Sequence, residues 1–162
     1  MGSTLLLISC STDELNTPQL QEDVLVADKA QVERPFKGDF IANPQIVSII
    51  DGVLTLYIEA EGNATHLGKC TWIATQVNDN NADPIMTGEF TFTAANGDQI
   101  WGNYDGTPTN FPDGSVSFFG TMYVEGGDGR FEGADGELPY YGGASLFPPS
   151  GFFVFHDGTL IY

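Results

Sequence analysis

Basic residues are scarce in this sequence. The 162 residues include five Lys and Arg against 22 Asp and Glu, which gives a formal net charge of −17 at pH 7. Such a surface cannot neutralise phosphate groups, and its electrostatic field repels nucleic acid and anionic lipid. We therefore expect no nucleic-acid partner, and we interpret most of the acidic surface as a solubility feature.

Nitrogen and sulfur ligands for a metal ion are scarce as well, because the chain has two His and two Cys. A zinc site usually takes three or four protein ligands. Asp79, Asn81 and Asp83 resemble the start of a calcium loop, but Pro84 and Phe90 stand where an EF-hand needs its Gly and its bidentate Glu. We therefore predict no metal site.

Long apolar runs are missing too. The run from Leu5 to Ile8 is far shorter than the roughly 20 residues that cross a bilayer. Leu7-Ile8-Ser9-Cys10 instead resembles the cleavage box of a bacterial lipoprotein signal. The resemblance implies that residues 1–10 are a truncated signal segment and that Cys10 becomes a lipidated N-terminus. The alternative is an ordinary N-terminal tail.

A polar, acidic segment follows at residues 11–35 and is typical of a flexible tether. Its first residues, Ser-Thr-Asp-Glu, resemble the acidic export signal of surface lipoproteins in Bacteroidetes. The resemblance implies an outer-membrane lipoprotein of the cell envelope, surface-exposed or periplasmic, held on the membrane through its lipid anchor only. Cys70 then has no disulfide partner; the alternative is a Cys10–Cys70 bridge.

The rest of the chain, residues 36–162, has the pattern of short β-strands. Leu54, Leu56 and Ile58 alternate with Val53, Thr55 and Tyr57, and Asn96-Gly97 is a hairpin turn. Residues 129–134 are long enough for one helical turn between strands. Twenty Gly and nine Pro spread along the chain fit many turns.

Eight or nine sequential strands must bury their shared apolar faces, so they close into a barrel or form a sandwich. The hairpin order favours the barrel. We predict an all-β fold: a single antiparallel, closed β-barrel of eight or nine strands, in one domain covering residues 36–162. Gly102 and Gly120 fit strongly coiled strands. The interior of such a barrel is either filled by side chains or holds one small ligand.

Three ordered landmarks carry a family resemblance. They are Gly62 to Lys69 (GNATHLGK), Phe92 to Asp98 (FTAANGD), and Gly127 to Phe131 (GDGRF) with Ala134 and Gly136. They resemble bacterial secreted members of the allene oxide cyclase-like, calycin-like barrel group, to which dirigent proteins are similar in architecture. The resemblance implies binding of hydrophobic intermediates and cofactor-free isomerase or cyclase activity. It assigns no catalytic residue in this chain.

Arg130 lies within the third landmark, and we expect it to pair with a carboxylate and fix a turn. His66 and Cys70 lie four residues apart, so in a continuous strand both side chains share a face. A nucleophile pair is one interpretation. The other is that His66 bonds the backbone at a strand entrance while Cys70 packs as a small apolar residue.

A binding barrel would use aromatic walls and a few polar groups. Glu59, Glu89 and His66 are the polar candidates, and a carboxylate facing inward would have a raised pKa and could serve as an acid or base. The candidate ligand-binding residues are Tyr57, Glu59, His66, Cys70, Glu89, Trp101, Tyr104 and Tyr123. The alternative function is a non-catalytic scaffold or adhesion protein with a filled barrel.

Overall fold

Eight antiparallel strands form a closed barrel in the computed structural model, which describes residues 31–79, 81 and 83–162. The strands are β1 (Glu33–Ile50), β2 (Val53–Ala64), β3 (Gly68–Asp79), β4 (Ile85–Ala94), β5 (Gln99–Asn110), β6 (Ser115–Asp128), β7 (Asp135–Leu146) and β8 (Pro149–Ile161). A 3-10 turn, η1, spans Gly129–Phe131. The predicted all-β barrel and the helical turn are confirmed. The predicted signal segment and most of the predicted tether lie outside the described residues.

Each strand pairs with its sequence neighbours, and β8 pairs with β1 to close the sheet. The hairpin order therefore gives a barrel, and the sandwich alternative is wrong. Glu33 lies opposite Ile161, so β1 begins three residues before the predicted domain boundary at Phe36. The predicted tether includes these residues because their strand partner lies at the far end of the sequence.

Side chains alternate between the interior and the outer face along each strand. On β2, Leu56, Ile58 and Ala60 point inward and are buried. Aromatic rings fill much of the interior in a connected cluster, with Phe40 and Phe153 stacked at 4.9 Å and Phe36 edge-on to Phe155 at 5.3 Å. Burial of these rings is the main source of stability.

Gly102 and Gly120 lie where neighbouring strands approach closely. A Cβ atom at Gly102 would collide with the carbonyl oxygen of Tyr123, and one at Gly120 with that of Asp105. The β5–β6 register also shifts between Trp101 and Gly102. Both glycines therefore permit strand curvature, as the sequence predicts.

The two ends of the barrel differ. We call the end with turns 65–67 and 95–98 and η1 the closed end, and the end with turns 51–52, 111–114 and 147–148 the open end. At the open end β1 extends beyond its pairing with β8. That pairing covers Glu33 to Ala42, while residues 43–50 pair with β2. Within the described residues, no helix has the length and apolar character to cross a membrane.

Candidate functional site

A cavity of about 120 Å³ lies inside the open end of the barrel; we call it the mouth cavity. Side chains from all eight strands contribute to its lining. The wall is mainly aliphatic and aromatic and includes Leu54, Leu56, Val116, Phe118, Met122 and Phe153. Below the cavity the aromatic cluster fills the interior, so the barrel is filled at one end and hollow at the other.

A short chain of hydrogen bonds crosses one side of the mouth cavity. The Tyr104 hydroxyl donates to Gln76 Oε1 at 2.9 Å, and Gln76 Nε2 donates to Asn78 Oδ1 at 2.7 Å. All three residues line the cavity, and Tyr104 and Gln76 are buried. The buried Gln76 amide is tolerated at this position because its oxygen and nitrogen both find partners.

Trp72 also lines the mouth cavity, and its ring lies 6.0 Å from that of Tyr104. Its indole Nε1 is buried and has no hydrogen-bond partner among the described residues. A buried donor without a hydrogen-bond partner lowers the stability of the fold by about 1–3 kcal/mol. An acceptor atom of a ligand or a water molecule inside the barrel would remove that cost.

The tyrosines of the cavity are hydrogen-bond donors rather than bases. Burial raises the pKa of Tyr104 well above its ordinary value, and the neighbouring Tyr140 adds to the effect. Burial, followed by the charge of Asp105, raises the pKa of Tyr140 as well. Both phenols are therefore protonated at neutral pH and can polarise an acceptor but cannot remove a proton.

Among the candidate residues from the sequence, Tyr104 lies in the mouth cavity. Glu59 and Glu89 are exposed on the outer face, so neither supplies the interior carboxylate that acid–base chemistry would require. The reason is register: their strands turn the even-numbered side chains inward. Acid–base catalysis by an inward Glu at these positions is therefore excluded.

Three aromatic candidates also lie on the outer face. Tyr57, Trp101 and Tyr123 are half-buried at odd-numbered positions of their strands. The Trp101 ring covers Gly126, where an added Cβ would lie 2.9 Å from the indole Nε1. An aromatic ring over a strand glycine stabilises the sheet, and this gives Trp101 a structural role.

His66 and Cys70 do not share a face. His66 lies in the β2–β3 turn with a φ of 70°, and its Nε2 donates to the carbonyl oxygen of Pro35 at 3.0 Å. Cys70 points into the core, where burial raises its pKa to about 11. The same-face prediction is wrong because residues 65–67 form a turn. The structural alternative for both residues is confirmed.

The three sequence landmarks meet at the closed end. Arg130 Nε lies 3.2 Å from Asp98 Oδ2, and Arg130 Nη2 donates to the carbonyl oxygen of His66. Phe131 follows Arg130 in the sequence and Leu67 follows His66, and both side chains are buried. The predicted pairing of Arg130 with a carboxylate is confirmed, and the landmarks build the end of the barrel opposite the mouth cavity.

Sequence reasoning missed several residues of the cavity, above all Gln76, Asn78 and the role of Trp72. The signal for them was present in the segment from Thr71 to Asp79. Trp72, Ala74, Gln76 and Asn78 occupy alternate positions of one strand, with two amides continuing an otherwise apolar face. A polar residue on an inward face indicates a hydrogen-bonded site.

The described residues contain no group of three or more His, Cys, Asp and Glu side chains that could hold a metal ion. Comparisons with protein-family models, with curated proteins and with solved structures found no match. The resemblance to allene oxide cyclase-like barrels therefore stays a prediction, and the geometry of the mouth cavity is the basis for inferring a function.

Proposed function

We propose that the barrel binds a small hydrophobic molecule with a hydrogen-bond acceptor in its mouth cavity. The observation that carries this proposal is the buried Nε1 of Trp72, which has no hydrogen-bond partner in the part of the chain that the structure describes and lies in a largely apolar wall. Ligand sites combine such walls with a few polar groups that fix orientation. Here Trp72, Tyr104 and Gln76 are those groups.

The size of the cavity limits the ligand. Its volume of about 120 Å³ is below the roughly 300–1,000 Å³ of pockets for drug-sized molecules. An apolar protein cavity of about 150 Å³ is known to hold one benzene ring. The ligand therefore places one ring, or a short branched chain, inside the barrel, and any larger part extends through the open end.

Binding has more support than catalysis. The resemblance in sequence predicts isomerase or cyclase activity, and a neutral Tyr104 could polarise a carbonyl group during such a reaction. Proton transfer needs a base as well, and the cavity wall described above offers neutral phenols and amides. Cofactor-free cyclisation stays a prediction that follows only if a ligand binds.

Titration with 4-ethylphenol, a single ring with one oxygen, tests the proposal. We expect the ¹⁵N–¹H signal of the Trp72 indole to shift in a saturable way, because the ligand oxygen accepts its hydrogen bond. Trp72→Phe keeps an aromatic ring and removes the N–H, and it should weaken binding about fivefold, the equivalent of one hydrogen bond of about 1 kcal/mol.

Trp101→Phe is the matched control for this titration. It makes the same change on the outer face and should leave the affinity unchanged. A ligand that produces no saturable shift at the Trp72 indole, or that binds equally well to Trp72→Phe, would contradict the proposal.

A second candidate function is a scaffold or assembly role, and the free edge of β1 favours it. Residues 43–50 lack a β8 partner, and Ile46, Val47, Ile49 and Ile50 are 42–66% exposed. An apolar strand edge can pair with another strand. Sedimentation velocity should detect self-association that Val47→Lys abolishes; a monomer at all concentrations would argue against this role.

We also propose that the protein is a bacterial outer-membrane lipoprotein anchored through Cys10. The Leu7-Ile8-Ser9-Cys10 box supports this, and β1 begins at the closed end, so a tether would join the barrel opposite its mouth. Metabolic labelling with an alkyne fatty acid in a bacterial host should mark the protein. Cys10→Ala should lose the label and Cys70→Ala should keep it; label on Cys10→Ala would refute the anchor.

A further inference from the structure

Tyr141 and His156 form a hydrogen-bonded pair on the outer face of the barrel, and neither residue lines the mouth cavity. The distance from Tyr141 Oη to His156 Nε2 is 2.5 Å, and the two rings are nearly parallel, with 5.1 Å between their centroids. Both side chains are exposed. A neutral imidazole nitrogen accepts the hydrogen of a phenol. A nucleophile and a base therefore meet on a surface that other molecules can reach.

A β-bulge in β8 gives His156 this position. The pairing of β8 with β1 and with β7 is interrupted after Phe155, so His156 and Asp157 have no partner in either of these two strands. Both side chains are exposed, whereas a regular strand would turn one of them inward. Bulges change the direction of side chains in this way and are frequent next to active sites.

Tyr141 lies in a shallow groove on the outer face, with a volume of about 570 Å³; we call it the outer groove. Phe119 lies directly opposite Tyr141 in the β6–β7 register, and its ring is 63% exposed. Pro139 precedes Tyr141 by two positions on the same face, and both apolar residues line the outer groove together with His156. The phenol of Tyr141 therefore has a base on one side and an apolar surface on the other.

The charge of the outer groove limits what can react there. Asp105 and Asp157 are part of its lining, and the described lining contains no Lys or Arg. In a chain with a net charge of −17, this groove repels anions. A molecule that reaches Tyr141 is therefore uncharged, and an apolar part of it can cover the exposed ring of Phe119.

We infer that Tyr141 is a nucleophile with His156 as its general base, and that it accepts an acyl group from a neutral aryl ester with an apolar acyl chain. Tyr141 Oη attacks the carbonyl carbon of the ester while His156 Nε2 takes the phenol proton. The bond between that carbon and the oxygen of the leaving phenol then breaks, and His156 returns the proton to this oxygen. The product is an ester of Tyr141, and the step needs no oxidant or reductant.

Esters of 4-nitrophenol test the inference, because acylation releases coloured 4-nitrophenolate and adds the acyl mass to the protein. With 4-nitrophenyl hexanoate, peptide mass mapping should find Tyr141 acylated about tenfold or more faster than Tyr57 and Tyr123, the half-buried tyrosines of the outer face. Hydroxylamine should remove the label from Tyr141, since it cleaves aryl esters and leaves the amides that form at lysines. Tyr141→Phe should lose this hydroxylamine-sensitive label.

A matched pair of histidine variants separates the base from simple exposure. His156→Phe keeps a ring against Tyr141 and removes the base, so acylation of Tyr141 should slow about tenfold or more. His66→Asn removes the other imidazole of the chain and should leave the rate unchanged; Asn tolerates the φ of 70° at this position. Thermal melts show whether each variant is folded, and the comparison among the three tyrosines uses the unaltered protein.

Phe119→Ala tests the apolar part of the acyl donor. Reaction with 4-nitrophenyl hexanoate should slow about fourfold, the equivalent of one methylene group that is no longer buried. Reaction with 4-nitrophenyl acetate should change by less than about twofold, because its acyl group is too short to cover the ring. An equal change for both esters would overturn the assignment of an apolar acyl chain.

Two further results would overturn the inference as a whole. Acylation of Tyr141 at the rate of Tyr57 and Tyr123 would show that the hydrogen bond to His156 confers no reactivity. Equal rates in the unaltered protein and in His156→Phe would show that exposure alone makes Tyr141 reactive. The mouth cavity takes no part in these measurements, so their outcome leaves the proposed function to its own test.

Discussion

The closed and open ends of the barrel are formed by the same strands but differ in how tightly their side chains pack. At the closed end, Arg130 connects η1 to Asp98 and to the backbone of His66, and Phe131 is fully buried. At the open end, Ile49, Ile50 and Phe147 are exposed and a cavity remains between the strands. The comparison shows that an up-and-down barrel can be tightly packed at one end while a cavity remains at the other.

Truncating an apolar side chain should have a larger effect at the closed end than at the mouth cavity. Phe131→Ala removes a fully buried ring and should lower the free energy of unfolding by about 3–5 kcal/mol. Val116→Ala changes a half-buried residue of the mouth cavity and should cost about 1 kcal/mol or less. Urea unfolding measures both values; equal losses would show that the two ends contribute equally to stability.

Alkaline pH should weaken the core that supports both ends. Burial raises the pKa of Cys70 from 9.0 to about 11 and also raises that of Tyr104 and Tyr140. A raised pKa in the folded state means that unfolding releases protons, so this stability is complete below about pH 9 and is lost as pH rises through the folded-state value.

Thermal melts between pH 7 and pH 11 test this expectation. The free energy of unfolding should fall by about 1–3 kcal/mol over that range. Cys70→Ala should remove the part of the decline that begins near pH 9 and leave the tyrosine part. A melting temperature that is constant up to pH 11 would contradict the burial of these groups.

The Arg130 contacts should contribute less than the buried ring beside them. The Arg130 side chain is 45% exposed, so solvent screening limits its ion pair with Asp98 to under about 1 kcal/mol, and the bond to the His66 carbonyl adds about 1 kcal/mol. Arg130→Met should therefore cost about 1–2 kcal/mol in urea unfolding. Lys69→Met, at the same end, should change stability by less than about 0.5 kcal/mol, and a similar loss in both variants would exclude a specific role for Arg130.

The smallest effect should come from the hydrogen bond at the cavity. Tyr104→Phe removes the donor to Gln76 Oε1 and should cost about 0.5–1.5 kcal/mol. Tyr123→Phe on the outer face is the control and should be close to neutral. Thermal melts compare the two, and a neutral Tyr104→Phe would show that water replaces the lost donor.

Much of the fold follows from local features of the sequence. Alternating apolar residues predict the strands, Asn96-Gly97 predicts a hairpin turn, and the short segment before Ala134 predicts a helical turn. These elements are predictable because each one depends on residues that are close together in the sequence. The start of β1 at Glu33 was not predictable in this way. It depends on pairing with Ile161, at the other end of the chain.

The site was harder to predict than the fold. On β2 both faces carry apolar side chains, so Tyr57 and Glu59 could be assigned to the interior as easily as Leu56. Barrel closure decides between the faces, and a one-residue change of register reverses the assignment. Tyr104 does lie in the cavity wall, because its aromatic ring is apolar enough for the core and its hydroxyl finds a partner in Gln76; its role in ligand binding stays a prediction.

The closure of the barrel places the two ends of the described chain side by side. Val32 N donates to Tyr162 O at 3.2 Å, and Tyr162 N donates to Val32 O at 3.3 Å. Every other strand pair joins sequence neighbours, so β1–β8 pairing is the long-range step of folding and carries the main loop-closure entropy. A circular permutant joined by a short linker at this point and opened at the 111–114 turn would retain every strand pair, make β1–β8 a local hairpin and move the long-range closure to the β5–β6 pair.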